Sequence, residues 1–131
     1  MLILGFTGTQ VGMTENQKYM FRDFVDRHQP AEFHHGDCVG ADAEAHAIVR
    51  SCVPCCVIIL HPPENQSKRA WCDADVSMRS KPYLERNHDI VDSCHNVVAC
   101  PGQATEVLRS GTWATIRYAR KQAKQLVIFL P

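Results

Sequence analysis

An excess of either charge is missing from this chain. Lysine and arginine together number 14, aspartate and glutamate also 14, so the formal charge is zero. A protein that grips nucleic acid broadly carries a basic face and a high pI. Such a partner is therefore disfavoured, leaving room only for a local basic rim. Also missing is any apolar run near the roughly 20 residues that a bilayer-spanning helix needs. The opening stretch Met1–Gly8 is apolar, yet it is too short for a secretory leader, lacks a basic start and runs straight into a turn. An even cysteine framework is lacking too. The seven cysteines form an odd set, better read as small buried hydrophobes in a reducing compartment than as disulfides. Together these absences lead us to expect a cytoplasmic protein with no membrane partner. No repeat, low-complexity tract or linker interrupts the 131 residues. At 45% hydrophobic and 21% charged, they suit one domain, residues 1–131, with a real core.

Strand-like and helix-like segments alternate along the chain. Leu2–Phe6 is a short apolar run. Thr14 and Gln17 form a capping-box pattern before Tyr19, Met20, Phe21, Phe24 and Val25, which recur at helical spacing. Ala31–His35 predicts a second strand and Asp42–Ser51 a second helix. Cys55–Leu60 is a continuous apolar run suited to a strand buried on both faces. Glu64–Pro82 is polar and proline-flanked, read as a loop with a short helix. Tyr83–Cys94 is helical by period, Asn96–Cys100 a fourth strand, Thr112–Gln122 a helix and Leu126–Leu130 a fifth strand. This alternation predicts an α/β fold: a doubly wound, mainly parallel five-stranded sheet flanked by helices, Rossmann-like in its winding.

Three small-residue turns stand out against this pattern. Gly5–Thr14 follows the first strand, His35–His46 (H-G-D-C-V-G-A-D-A-E-A-H) joins the second strand to its helix, and Arg109–Thr115 opens the last helix. Turns of this kind aim backbone N–H groups and helix N-termini at an anion. In a parallel sheet they meet outside the carboxyl ends of the strands, where strand order reverses. The candidate ligand-binding residues follow. Thr7, Gly8, Thr9 and Gln10 offer backbone and hydroxyl donors. Gly36 and Gly40 allow close backbone approach. Asp42 stands either as a helix cap or as an acceptor for a ribose hydroxyl. Asp37, repelled by phosphate, would meet a sugar, a base or a metal. Arg86 and Asn87 suit a phosphate and a base edge or loop partner. Arg109, Ser110, Gly111 and Thr112 form the best single phosphate site, with an arginine beside a helix start. Trp113 is either a stacking platform or core. His34, His35, Asp37, Cys38, His46 and His61 make no recognised ligand spacing, and strand alternation sends His34 and His35 to opposite faces. Neither a metal nor a cofactor is expected.

Gly36–His46 resembles the G-x-A-x-G-I-D-x-x-A-H signature of the DprA/Smf proteins. Pro82–Val91 (P-Y-L-E-R-N-H-D-I-V) is similar to their P-x-R-N-R-I-I segment. Asn96–Cys100, Arg109–Ala119 and Leu126–Pro131 resemble their V-V-E-A, S-G-S-L-I-T-A and V-F-A-V-P-G stretches. Order and spacing agree from about residue 3 to 131. The likeness is to the Rossmannoid core of DprA and, more widely, to the SLOG superfamily. That superfamily includes the LOG phosphoribohydrolases and molybdenum-cofactor carrier proteins. Membership would imply a pocket for a nucleotide-derived molecule and often a homodimer; fold alone does not set the activity. The P-G-G-x-G-T-x-x-E motif of the LOG enzymes is not reproduced. Pro101-Gly102 and Gly111-Thr112 are separated by an insertion, and Ile116 stands near the place of the catalytic glutamate. Glu106, inside the insertion, is the candidate substitute. Three functions compete on these grounds. One is a binding protein for a nucleotide-like ligand. Another is a nucleoside 5′-monophosphate N-glycosidase using Glu106 or Asp42. The last is a single-stranded DNA binder using Arg69, Arg79, Lys81, Arg86, Arg109 and Arg117 with Trp71 or Trp113.

Overall fold

The computed structural model describes residues 1–131. Six parallel strands form one sheet in the order β4-β3-β2-β1-β5-β6. They are β1 (Ile3–Gly8), β2 (Glu32–His35), β3 (Val57–Leu60), β4 (Val76–Ser77), β5 (Asn96–Cys100) and β6 (Gln125–Ile128). Four helices connect them: α1 (Glu15–His28), α2 (Ala41–Cys52), α3 (Tyr83–Asp92) and α4 (Gly111–Lys121). The chain winds outward from β1 to β4, then returns to lay β5 against the other side of β1. Strand order therefore reverses between β1 and β5.

The expected five strands become six. β4 is only two residues long and pairs Val76 and Ser77 with Ile59 and Leu60. A segment so short leaves no period in the sequence. It is held from outside: the Asp75 carboxylate accepts the Ile58 N–H at 2.8 Å and an Arg50 N–H at 3.1 Å. The expected short helix in this region is a single 3-10 turn at Gln66–Lys68. β1 also runs further than expected, to Gly8, because Thr7 and Gly8 pair with Ala99 and Cys100 of β5.

Alternation along the strands divides the core. Leu4, Phe6, Phe33, Ile58, Leu60, Val98 and Cys100 pack with Phe21 and Val25 of α1 and Ala45 and Val49 of α2. On the opposite face Val97 meets Val91 of α3 and Ala119 of α4, while Ala99 packs with Trp113 and Ile116. Phe6, Phe21 and Phe33 form a mutually tilted trio, ring centroids 5.1–6.1 Å apart. This is a favourable arrangement for aromatic quadrupoles.

The capping box closes as the sequence predicts. Thr14 Oγ1 accepts the Gln17 N–H at 3.1 Å, and Gln17 Oε1 accepts the Thr14 N–H at 2.9 Å. Gln17 does more than cap. Its Nε2 donates to the carbonyls of Pro101 and Phe129, both at 2.8 Å. One amide thus clamps the start of α1 to the chain leaving β5 and β6. Gln17→Leu keeps the volume, abolishes half of the cap and leaves two carbonyls without a partner. Chemical denaturation should show a loss of about 2–3 kcal/mol.

Candidate functional site

At the carboxyl edge, where strand order reverses, lies an open cavity of about 440 Å³. That is within the range of small-molecule sites, about 300–1,000 Å³. Four segments wall it: Phe6–Gln10 from β1 and its turn; Gly36, Cys38 and Asp42 from the β2–α2 junction; Tyr83, Arg86, Asn87 and Ile90 from α3; and Gly102, Gln103 and Ser110–Thr112 around α4. The three turns singled out in the sequence converge here, but they do different work.

The α4 start is the part built for an anion. Ser110 is the N-cap, its Oγ accepting the Trp113 N–H at 3.2 Å. The amides of Gly111 and Thr112 have no partner inside the protein, nor has that of Gln10 across the cavity. A methyl group on Gly111 would meet nothing within 4 Å. Gly111 is therefore not demanded by packing; its bareness keeps the cavity open in front of unengaged N–H groups. Those groups carry the positive end of the helix dipole.

The His35–His46 turn spends four of its amides inside the protein, while those of Asp42 and Ala43 in the first turn of α2 have no partner there. Asp37 N–H donates to His35 Nδ1 at 3.0 Å, Cys38 N–H to Asp42 Oδ2 at 3.2 Å, Val39 N–H to the Lys68 carbonyl at 2.9 Å and Ala41 N–H to the Thr9 carbonyl at 3.0 Å. Gly40 does not line the cavity. Its φ of 90° lies in the left-handed region, and a Cβ there would strike the backbone of Gln10, so its role is to let two turns touch. Asp37 also points away. Fully buried, it accepts from Arg69 Nε at 2.7 Å and Cys72 N–H at 2.9 Å, tying down the segment after the 3-10 turn. Asp42 does line the cavity, but it caps nothing: Gly40 holds the N-cap position and Asp42 turns back to Cys38.

Arg86 is the most unusual group of the site. It is 5% exposed and forms no salt bridge. Nη1 donates to the Gly36 carbonyl at 2.5 Å and the His61 carbonyl at 3.1 Å, and Nε donates to Asn87 Oδ1 at 2.8 Å. Nη2 meets only the Cys38 sulfur, at 3.7 Å. With Oδ1 of Asn87 engaged, its Nδ2 is free to face the cavity. A buried guanidinium without a carboxylate partner is costly unless something anionic or strongly accepting completes it.

Arg109 is exposed and lies outside the cavity wall, one residue before the cap. Glu106 is likewise outside: it pairs with Arg117 at 2.7 Å, and Arg117 also donates to the Leu108 carbonyl at 3.2 Å, pinning the loop to α4. Trp113 is 5% exposed and packed in the core, so it offers no stacking face. The cations proposed for DNA are mostly engaged. Arg69 pairs with Asp37, Lys81 with Asp89 and Arg117 with Glu106, while Trp71 lies under Arg69, 3.8 Å from its guanidinium. Sequence reasoning did not single out Phe6, Cys38, Tyr83, Ile90, Gly102 or Gln103 as wall residues. All but Gln103 sit inside segments it quoted; which of them reach the cavity is set by the fold.

His34 and His35 do face opposite ways. His34 bonds His61 at 2.9 Å, and His35 Nε2 bonds His46 Nδ1 at 3.0 Å. The fold also gathers His35, His46 and Cys72 within 4.8 Å, residues too far apart in sequence to suggest a ligand set. Because His35 Nδ1 accepts the Asp37 N–H, its proton sits on Nε2 and points at His46. Its lone pair is thus committed to a hydrogen bond rather than free for a metal.

No protein-family model matches the chain, and no curated protein matches it. Solved structures do. The molybdenum cofactor binding protein from the phototrophic bacterium Rippkaea orientalis superposes with a TM-score of 0.72 at 18% identity, over 99% of this chain and 77% of that one. The structural-genomics target TM1055 gives a TM-score of 0.70 at 13% identity, over 96% and 72%. DNA processing protein A (DprA) from Streptococcus pneumoniae gives 0.71 at 15% identity over 97% of this chain, which spans 50% of the DprA chain. The likeness is one of fold: a parallel, Rossmann-like α/β sheet shared with these three proteins.

Burial lowers the pKa of His34, His35, His46 and His61, the last to about 4. Burial also raises Asp42 to about 6, against the pull of Arg86. A histidine whose folded pKa lies below its unfolded 6.5 loses stabilisation as pH falls from 6.5 toward that folded value. For His61 alone this amounts to about 3 kcal/mol. Asp42 acts in the opposite sense, its effect growing as pH rises from about 4 to 6. Thermal melts should therefore fall between pH 6.5 and 4, and Asp42→Asn should make that fall steeper between pH 6 and 4.

Proposed function

We propose that this protein binds a nucleotide-derived, phosphate-bearing small molecule at the carboxyl edge between β1 and β5, acting as a sensor, carrier or sequestering protein. Assembly as a homodimer in the cytoplasm belongs to the same proposal. The observation that carries it is the set of unengaged N–H donors at Gln10, Gly111 and Thr112 around an open cavity. Such donors select a phosphate or another compact anion. Phe6, Tyr83 and Ile90 add an apolar wall suited to a base, and Arg86, Asn87 and Asp42 add polar groups at the other end. Among the solved neighbours, one is named for binding a molybdenum cofactor, which supports a small-molecule ligand. Another is named for DNA processing, but most of the cations a strand would need are engaged within the protein here.

A second reading, hydrolysis of a nucleoside 5′-monophosphate, rests on Asp42. It is the one carboxyl in the cavity wall, with a pKa near 6 suited to acid–base work.

Calorimetry with a panel of nucleotides, ADP-ribose and cyclic oligonucleotides tests the first reading. At least one should bind with micromolar affinity, and no binding below millimolar to any of them would overturn it. Gly111→Ala should leave the melting temperature within about 2 °C, since the new methyl enters open space, while weakening that ligand about tenfold. Free base released by the wild type and absent in Asp42→Asn would instead favour hydrolysis.

A further inference from the structure

Resting on the nucleotide-site reading, we propose that Asp42 decides which ligands the cavity accepts. It admits a neutral hydroxyl-bearing end, such as a sugar diol, to the floor beside Arg86 and turns away a second anionic group.

The floor is organised around Gly36. The position a Gly36 side chain would take is filled by Arg86 Nη1 on one side and by Asp42 Oδ2, 2.9 Å from that position, on the other. The carboxyl and the guanidinium are thus neighbours across a bare backbone, yet they do not close into an ion pair. Each keeps capacity for a ligand. Asp42 is a buried acceptor in the cavity wall, one of its oxygens held by the Cys38 N–H at 3.2 Å. Beside it, Arg86 Nη2 and the Asn87 amide are donors without a partner oxygen. An acceptor with two donors nearby matches a pair of hydroxyls, each of which donates to the carboxylate and accepts from an N–H. An ionised phosphate matches the donors but brings a like charge to Asp42 with no proton to give it.

Topology sets the span. The floor lies at the end of β2 and the anion site beside β5, with β1 between them. Two strand spacings make roughly 10 Å, a distance that a sugar carrying one terminal phosphate can bridge. The ligand class is therefore singly phosphorylated, with its uncharged hydroxyl end on Asp42.

This preference depends on pH. The charged and titratable groups facing Asp42 are Arg86 from α3, Asp37 and Cys38 from the turn after β2, and Cys72 from the segment after the 3-10 turn. β1 and its turn contribute only Thr7–Gln10, none of them titratable. Burial holds the Asp42 carboxyl up at about 6. Above that pH the floor pairs one positive charge with one negative. Below it, Arg86 stands alone and the floor becomes cationic, so a second phosphate is no longer repelled.

Calorimetry on the full chain at pH 8 and pH 5 tests this, with adenosine 5′-monophosphate and adenosine 3′,5′-bisphosphate as probes and with wild type and Asp42→Asn as proteins. At pH 8 the wild type should bind the monophosphate about tenfold more tightly than the bisphosphate, and at pH 5 within about threefold. Asp42→Asn should show the narrowed ratio at both pH values. Each probe ionises identically for both proteins, so the difference between proteins isolates Asp42. Equal affinities for the two probes at pH 8, or a wild-type preference retained in Asp42→Asn, would overturn the role of Asp42 and leave the nucleotide site standing. If the wild type binds neither probe nor any other nucleotide, the site itself falls and Asp42's role with it. Should Asp42→Asn fail to fold, Asp42→Ser, which also removes the charge, is compared with the wild type in its place.

Discussion

One guanidinium joins the two halves of this molecule. Arg86 rises from α3 on one face of the sheet and ends at the carbonyls of Gly36 and His61, where β2 and β3 finish. It can reach them only because residue 36 has no side chain, and it is kept in place by Asn87, the next residue of its own helix. The cost of burying that charge is met by three oxygens, none of them a carboxylate. What is left over, Nη2, meets only the Cys38 sulfur, in a residue that lines the cavity. The same cation thus ties strand ends together and lines the cavity.

Around that floor the three small-residue turns have separate duties. The turn after β1 supplies hydroxyls and a free amide. The turn before α4 supplies the helix N-terminus. The most conspicuous motif, His35–His46, is largely internal scaffolding: its amides, Asp37 and Gly40 hold neighbouring turns and the segment around Cys72. Only Gly36, Cys38 and Asp42 of that motif reach the cavity. A glycine-rich turn before a helix is ambiguous in principle, because the same backbone N–H groups that could hold a ligand can hold the protein. Here His35 Nδ1, the Asp42 carboxylate and the carbonyls of Thr9 and Lys68 have claimed four of them.

The sequence was most legible where one period or one local pair dictates the outcome. The Thr14–Gln17 box, the strand at Val57–Leu60 and the small-residue start of α4 all followed from neighbours within a few positions, although β3 is not buried on both faces as its apolar run suggests: Val57 is exposed and Ile59 half-buried. Most of the cavity wall was legible for the same reason: Thr7–Gln10, Gly36, Asp42, Arg86, Asn87 and Ser110–Thr112 lie at strand ends or helix starts. Legibility failed where a side chain could turn either way. Asp37 and Arg109 stand beside true wall residues and point elsewhere, one into the protein and one into solvent. Glu106, plausible by position, is drawn to Arg117. β4 escaped notice because two residues carry no period.

The amino-acid order by itself determined the alternating elements, the parallel doubly wound sheet and the edge at which a ligand would sit. These depend on hydrophobic period, on the right-handedness of crossovers and on where turns must fall. Only the tertiary structure decided which N–H groups remain unengaged, that Arg86 has no acidic partner, and that Asp42 and Arg86 meet across Gly36. Those properties depend on residues as far as 50 positions apart. The number of ångströms between them, not their spacing in sequence, determines whether a polar group is satisfied by its own chain or is left to bind something else.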